Sequence, residues 1–151
     1  MPHRRPNSPL GAFLEALEKE EIPCILIGGM AAIEQGAPVT TLDYDFWLPL
    51  PERQYIRILA IIKRLGGNVI ARTLYELSDG TQVNVIFNPD GLNSFLSEFR
   101  RCHTVKMGGM SLRVLPLTRV IASKQAAARE KDLAILPLLR RTLRLRRRLK
   151  E

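Results

Sequence analysis

This chain has little cysteine or histidine and no long apolar run. Its 151 residues include two cysteines, Cys24 and Cys102, and two histidines, His3 and His103. So few cysteines give no disulfide framework, and Cys24, in an apolar strand-like run, reads as a buried free thiol in a reduced, cytoplasmic setting. The cysteines and histidines share no metal-ligand spacing, which argues against a zinc site. No apolar run approaches about 18 residues, so a membrane span is not expected. The opening MPHRRPNSPL carries charge but no apolar segment behind it. It is no secretory signal, and residues 1–8 are expected to fray. Internal repeats and low-complexity tracts are also missing.

What the chain has is an ordinary apolar content of 46% and a net charge of +8. That suits a single globular domain over residues 1–151. The charge is uneven. RRTLRLRRRLKE, residues 140–151, carries most of the excess and reads as a basic helical tail. Such a tail can meet a phosphate backbone or an acidic partner. It can equally be a solvated helix face with Leu143, Leu145 and Leu149 partly packed. No aromatic residue interleaves with its arginines to stack on bases.

Apolar periodicity and breakers order the rest. Asn7 or Ser8 can cap a helix from about Pro9 to Glu21, and Pro23 starts the strand CILI. Gly28-Gly29 turns into a short helix stopped by Gly36. A second strand, LDYDFWL, ends at Pro49 and Pro51, and Pro51 opens a helix to Leu65. NVIARTLYEL reads as a strand joined by Asp79-Gly80 to TQVNVIF, a hairpin signal. After the helix LNSFLSEFRR a second hairpin turns at Gly108-Gly109. The helices LTRVIASKQAAARE and KDLAILPLLRRTLRLRRR close the chain, the last expected to kink or restart at Pro137. This order implies an α/β (α+β) fold, a mixed sheet flanked by helices.

Two features carry chemistry. Alternation along a strand puts Asp43 and Asp45 on one face, about 6.5–7 Å apart. Two carboxylates so spaced can share a divalent cation, and without one they repel and resist burial. An open face bearing two solvated aspartates is the plainer alternative. A strand that ends in Gly28-Gly29 and opens a helix presents free N–H groups at the positive helix end, where phosphates bind. Together they describe phosphoryl-transfer chemistry.

The stretch GGMAAIEQGAPVTTLDYDFWL resembles the core motif of the nucleotidyltransferase superfamily related to DNA polymerase beta, most closely its minimal and AbiEii-type toxin branch. That branch reads Gly-Gly-x-Ala, then Gly-x-x-Arg-x-Thr-x-Asp-x-Asp. Gly28, Gly29, Ala31, Gly36, Thr41, Asp43 and Asp45 fall on it. Lys124, Arg129, Lys131 and Asp132 stand where the branch often has Lys, Arg and a Lys-Asp pair. The resemblance spans roughly Pro23 to Leu139. It implies a nucleotidyltransferase-type sheet and transfer of NMP from an NTP to an RNA (tRNA) or protein acceptor. A toxin-antitoxin setting with an antitoxin or other partner protein comes with it. Gly28, Gly29 and Thr41 would then meet the nucleotide, Asp43 and Asp45 would hold Mg²⁺ (or Mn²⁺), and Lys124 and Arg129 would neutralise phosphate charge.

Two positions depart from the pattern. The Arg before the threonine is Val39. The third carboxylate, on the strand TQVNVIF, is Asn84. Asn84 can offer a carbonyl oxygen to a metal, but a neutral amide is no general base. A two-residue turn at Asp79-Gly80 would set Tyr75 beside Asn84 and point Glu76 away, leaving no substitute acid. Hence the alternative reading, a catalytically impaired fold that binds a nucleotide or a partner.

Overall fold

The computed structural model describes residues 5–150. Helix α1 (Pro9–Lys19) has proline in its first turn and is capped by Ser8, whose hydroxyl accepts the Gly11 N–H at 3.1 Å. Residues 1–4 of the expected frayed end lie outside the described residues. Asn7 already bonds through its N–H to Gly108 O at 2.9 Å. Strand β1 (Ile25–Ile27) runs into α2 (Gly28–Glu34), then β2 (Asp43–Trp47). The next helix opens as a 3-10 turn, Glu52–Gln54, and continues as α3 (Tyr55–Arg64). Then follow β3 (Asn68–Val69), β4 (Leu74–Glu76), β5 (Gln82–Ile86), α4 (Phe95–Arg101), β6 (His103–Met107), β7 (Met110–Val114), α5 (Leu117–Ala127) and α6 (Glu130–Leu149). Among the described residues no helix is long and apolar enough to cross a membrane.

The seven strands form one mixed sheet in the order β3-β4-β5-β2-β1-β7-β6. Strand β2 lies inside it, antiparallel to β1 and parallel to β5. Its two faces differ. Tyr44 and Phe46 point to the side of Leu26, Val83 and Val85, where Phe13 of α1 meets Phe46 at 6.0 Å and α3 packs beside α1. Leu26, Phe46, Val83, Val85 and Phe13, with Ile58, Ile61 and Ile62 of α3, are core, and half-buried Tyr44 packs against them. Trp47, on the aspartate side, packs edge-on to Phe95 of α4 at 5.1 Å. One buried side chain ties α2 to the start of α5. Gln35 donates to Ala31 O and Leu115 O and accepts the Leu117 N–H. The Arg146 guanidinium adds a bond to the Gln35 carbonyl.

Four local expectations need correction. NVIARTLYEL is two strands, β3 and β4, folded back where the Ile70 and Ala71 N–H groups share Leu74 O. The turn into β5 holds three residues, not two, since Leu77 N–H bonds to Thr81 O and Gly80 supplies φ +89°. The register therefore slips by one, setting Leu74 against Asn84 and Glu76 against Gln82. The α5–α6 break comes earlier than read, at Ala128 (φ +52°) and Arg129. The restart allowed for at Pro137 does not occur: α6 runs through the proline, which cannot donate an internal hydrogen bond there.

Candidate active site

The site starts where β1 becomes α2. Gly28 has φ +69°, which side-chain-bearing residues rarely adopt, and a Cβ there would lie 2.3 Å from Asp45 Oδ2. The backbone is bare because the carboxylate needs the space. A Cβ on Gly29 would sit 3.0 Å from Thr41 Cβ, so the threonine closes over the same turn. No side chain caps the start of α2.

Asp43 and Asp45 share the face expected for them, laterally paired with Gln82 and Asn84. Asp45 is half-buried, and its carboxyl is pushed up to about 6, first by burial and then by the neighbouring Asp43 charge. The Asn84 amide and the Lys124 ammonium oppose that shift. Asn84 donates through Nδ2 to Asp45 Oδ1 at 3.2 Å and accepts from Thr73 Oγ1 at 3.3 Å. Its amide thus steadies the carboxylate, while its carbonyl oxygen is met by the Thr73 hydroxyl. The slipped register turns Glu76 to the aspartate face, one strand beyond Gln82. Glu76 still does not complete a cluster. Among the described residues no three Asp, Glu, His or Cys side chains come close enough to hold a metal. Val39 packs against the core where the family has arginine.

Lys124 and Arg129 converge on Asp132, which sequence reasoning had noted but not placed in the site. Asp132 is fully buried and accepts from Lys124 Nζ at 3.3 Å, from Arg129 Nε at 2.7 Å and from the Arg129 N–H at 3.2 Å. Its carboxyl is held below the usual range by these partners despite burial. The same two cations face a cavity of about 220 Å³ lined by Gly28, Asp45, Asn88, Asp90, Lys124 and Arg129. Glycine turn, aspartate and cations thus share one recess. Asn88 and Asp90 were missed, since a loop after a strand carries no periodic signal.

Asp43 and Asp45 offer two carboxylates to a divalent cation. Burial first, and then the neighbouring Asp43 charge, raises Asp45, and a cation between the two would relieve their repulsion. Solved structures share this architecture. ANT(2″)-Ia in complex with adenylyl-2″-tobramycin superposes with a TM-score of 0.52 at 19% identity, over 89% of this chain and 87% of that one. A nucleotidyltransferase from Thermotoga maritima gives 0.52 at 20% identity, over 89% and 90%. The lincomycin-bound lincosamide antibiotic adenylyltransferase LnuA gives 0.54 at 10% identity, over 90% and 98%. This chain has the nucleotidyltransferase fold. No protein-family model matches the sequence, and no curated protein is significantly similar to it. The fold is shared at the level of architecture, and the AbiEii branch gains no separate support.

Proposed function

We propose that this nucleotidyltransferase fold transfers NMP from an NTP to an acceptor hydroxyl. The acceptor oxygen bonds to the α-phosphorus, the bond to pyrophosphate breaks, and the hydroxyl proton leaves to solvent. The approach of the Gly28 backbone to Asp45 carries this reading, because it sets a phosphate-binding turn against a cation-binding carboxylate. Gly28 and Gly29 would hold the triphosphate, with Thr41 fixing the turn. Asp43 and Asp45 would hold Mg²⁺ or Mn²⁺, which when bound supplies charge stabilisation at the phosphate oxygens. Lys124 and Arg129, pre-oriented by Asp132, would neutralise the pyrophosphate end. Asn84 keeps Asp45 in place but takes no proton.

The family resemblance suggests an RNA, such as tRNA, or a protein as acceptor, and a toxin-antitoxin setting. The structural neighbours carry tobramycin and lincomycin, which makes a small polyhydroxylated molecule the competing acceptor class. Asn84 favours a second reading, a nucleotide-binding module of low turnover. Labelled NTP with Mg²⁺ or Mn²⁺, offered total tRNA, cell lysate, tobramycin and lincomycin, separates these. Label moved by the wild type and lost in Asp45→Ala supports the enzyme. Label moved only by Asn84→Asp supports the module. Transfer undiminished in Asp45→Ala would refute the mechanism.

A further inference from the structure

The C-terminal half of α6 joins a strongly basic surface to exposed leucines. From Leu133 to Lys150 the sequence has no acidic residue, and six arginines stand between positions 140 and 148. Arg140, Arg141, Arg144, Arg147 and Arg148 form no ion pair among the described residues, and all are exposed. On the same surface Leu138 is 40% exposed, Leu145 48% and Leu149 87%. The sequence had suggested that Leu143, Leu145 and Leu149 pack partly. Only Leu143 does.

At about 100° per residue, Leu138, Leu145 and Leu149 fall within roughly 40° of one another, a straight seam about 17 Å long. Arg141 and Arg148 run along one border, each three residues after a seam leucine. A seam this narrow is the width of a helix–helix contact. A helix lying in a lipid interface needs a broader apolar face with large anchors. Nucleic acid would answer the arginines but leave the leucines wet, with no aromatic side chain on α6 to stack bases. A second copy of this helix would bring arginine rows together and repel.

We propose that this half of α6 docks an acidic amphipathic helix of another protein, its apolar stripe on Leu138, Leu145 and Leu149 and its carboxylates on the flanking arginines. The site lies away from the nucleotide recess, which Arg129 lines just ahead of α6, so the inference stands whether or not transfer occurs.

The test uses the full chain and a synthetic peptide of leucine heptads with glutamate elsewhere, compared by fluorescence anisotropy with a scrambled peptide of equal composition. Poly-U RNA and vesicles of mixed phosphatidylcholine and phosphatidylserine are the other probes. The heptad peptide should bind at least tenfold tighter than the scrambled one. Leu145→Gln with Leu149→Gln, which leaves net charge unchanged on exposed positions, should lose at least tenfold with an unaltered melting curve. Arg141→Gln with Arg148→Gln should lose affinity and salt sensitivity together. Equal binding of the scrambled peptide, indifference to the leucine pair, tighter capture by RNA or vesicles through those leucines, or self-association through the seam would each overturn the proposal.

Discussion

Gly28 shows how a single backbone position decides what the site can be. Its dihedral is one that side-chain-bearing residues rarely adopt, and a Cβ there would stand 2.3 Å from Asp45 Oδ2. Gly28→Ala should destabilise the fold by about 1–2 kcal/mol, a fall of roughly 2–8 °C in melting temperature, and abolish NTP binding. Differential scanning fluorimetry with and without NTP checks both. Asp45 makes the opposite case. Its carboxyl titrates near 6, above the ordinary 3.8, so folding takes up a proton between those values. The ionised group therefore costs stability that is fully felt above pH 6 and vanishes below about pH 4. In metal-free protein Asp45→Asn should raise stability by about 1–3 kcal/mol at pH 7.5 and by little at pH 4. Urea melts at the two pH values give the difference.

Among the elements, the strand bearing both aspartates was legible because a period of two admits one arrangement of Asp43 and Asp45. The glycine turn was legible because a strand cannot continue through Gly28-Gly29 into an apolar helix without it. The hairpin after β4 was not. Asp-Gly supports both two-residue and three-residue loops, and the choice reverses which face Glu76 takes. The α5–α6 break was misplaced because Ala128 gives no hint of a left-handed conformation. What fixes it is tertiary, the convergence of Lys124 and Arg129 on Asp132 across the two helices. Asp132→Ala should leave Lys124, only 17% exposed, without its partner and loosen the start of α6. A loss of about 3 kcal/mol follows, measurable by urea denaturation. NTP affinity should fall with it, because both cations lose their orientation.

At the scale of the whole molecule, a chain of net charge +8 and pI near 10.1 carries most of its excess on the far half of α6, so the positive field at the recess comes chiefly from Lys124 and Arg129. That field draws anionic nucleotides toward a recess whose own carboxylates would otherwise repel them. NTP binding in the presence of Mg²⁺ should therefore weaken severalfold between about 50 and 300 mM salt, as isothermal titration calorimetry can follow. Sequence and fold agree on this division of labour. The acidic motif sits at the sheet, Lys124 and Arg129 converge on Asp132 beside the same recess, and the arginine surplus lies toward the far end of α6.

The central claim is that Asp43 and Asp45 hold a divalent cation together with an NTP on the Gly28 turn. Mn²⁺ titrated into the protein with a non-hydrolysable NTP, followed by electron paramagnetic resonance, tests it most directly. The expected result is a tight Mn²⁺ site that depends on the nucleotide and disappears in Asp45→Ala, with a second ion gained in Asn84→Asp. Nucleotide and Mn²⁺ binding that survive Asp45→Ala unchanged would contradict it.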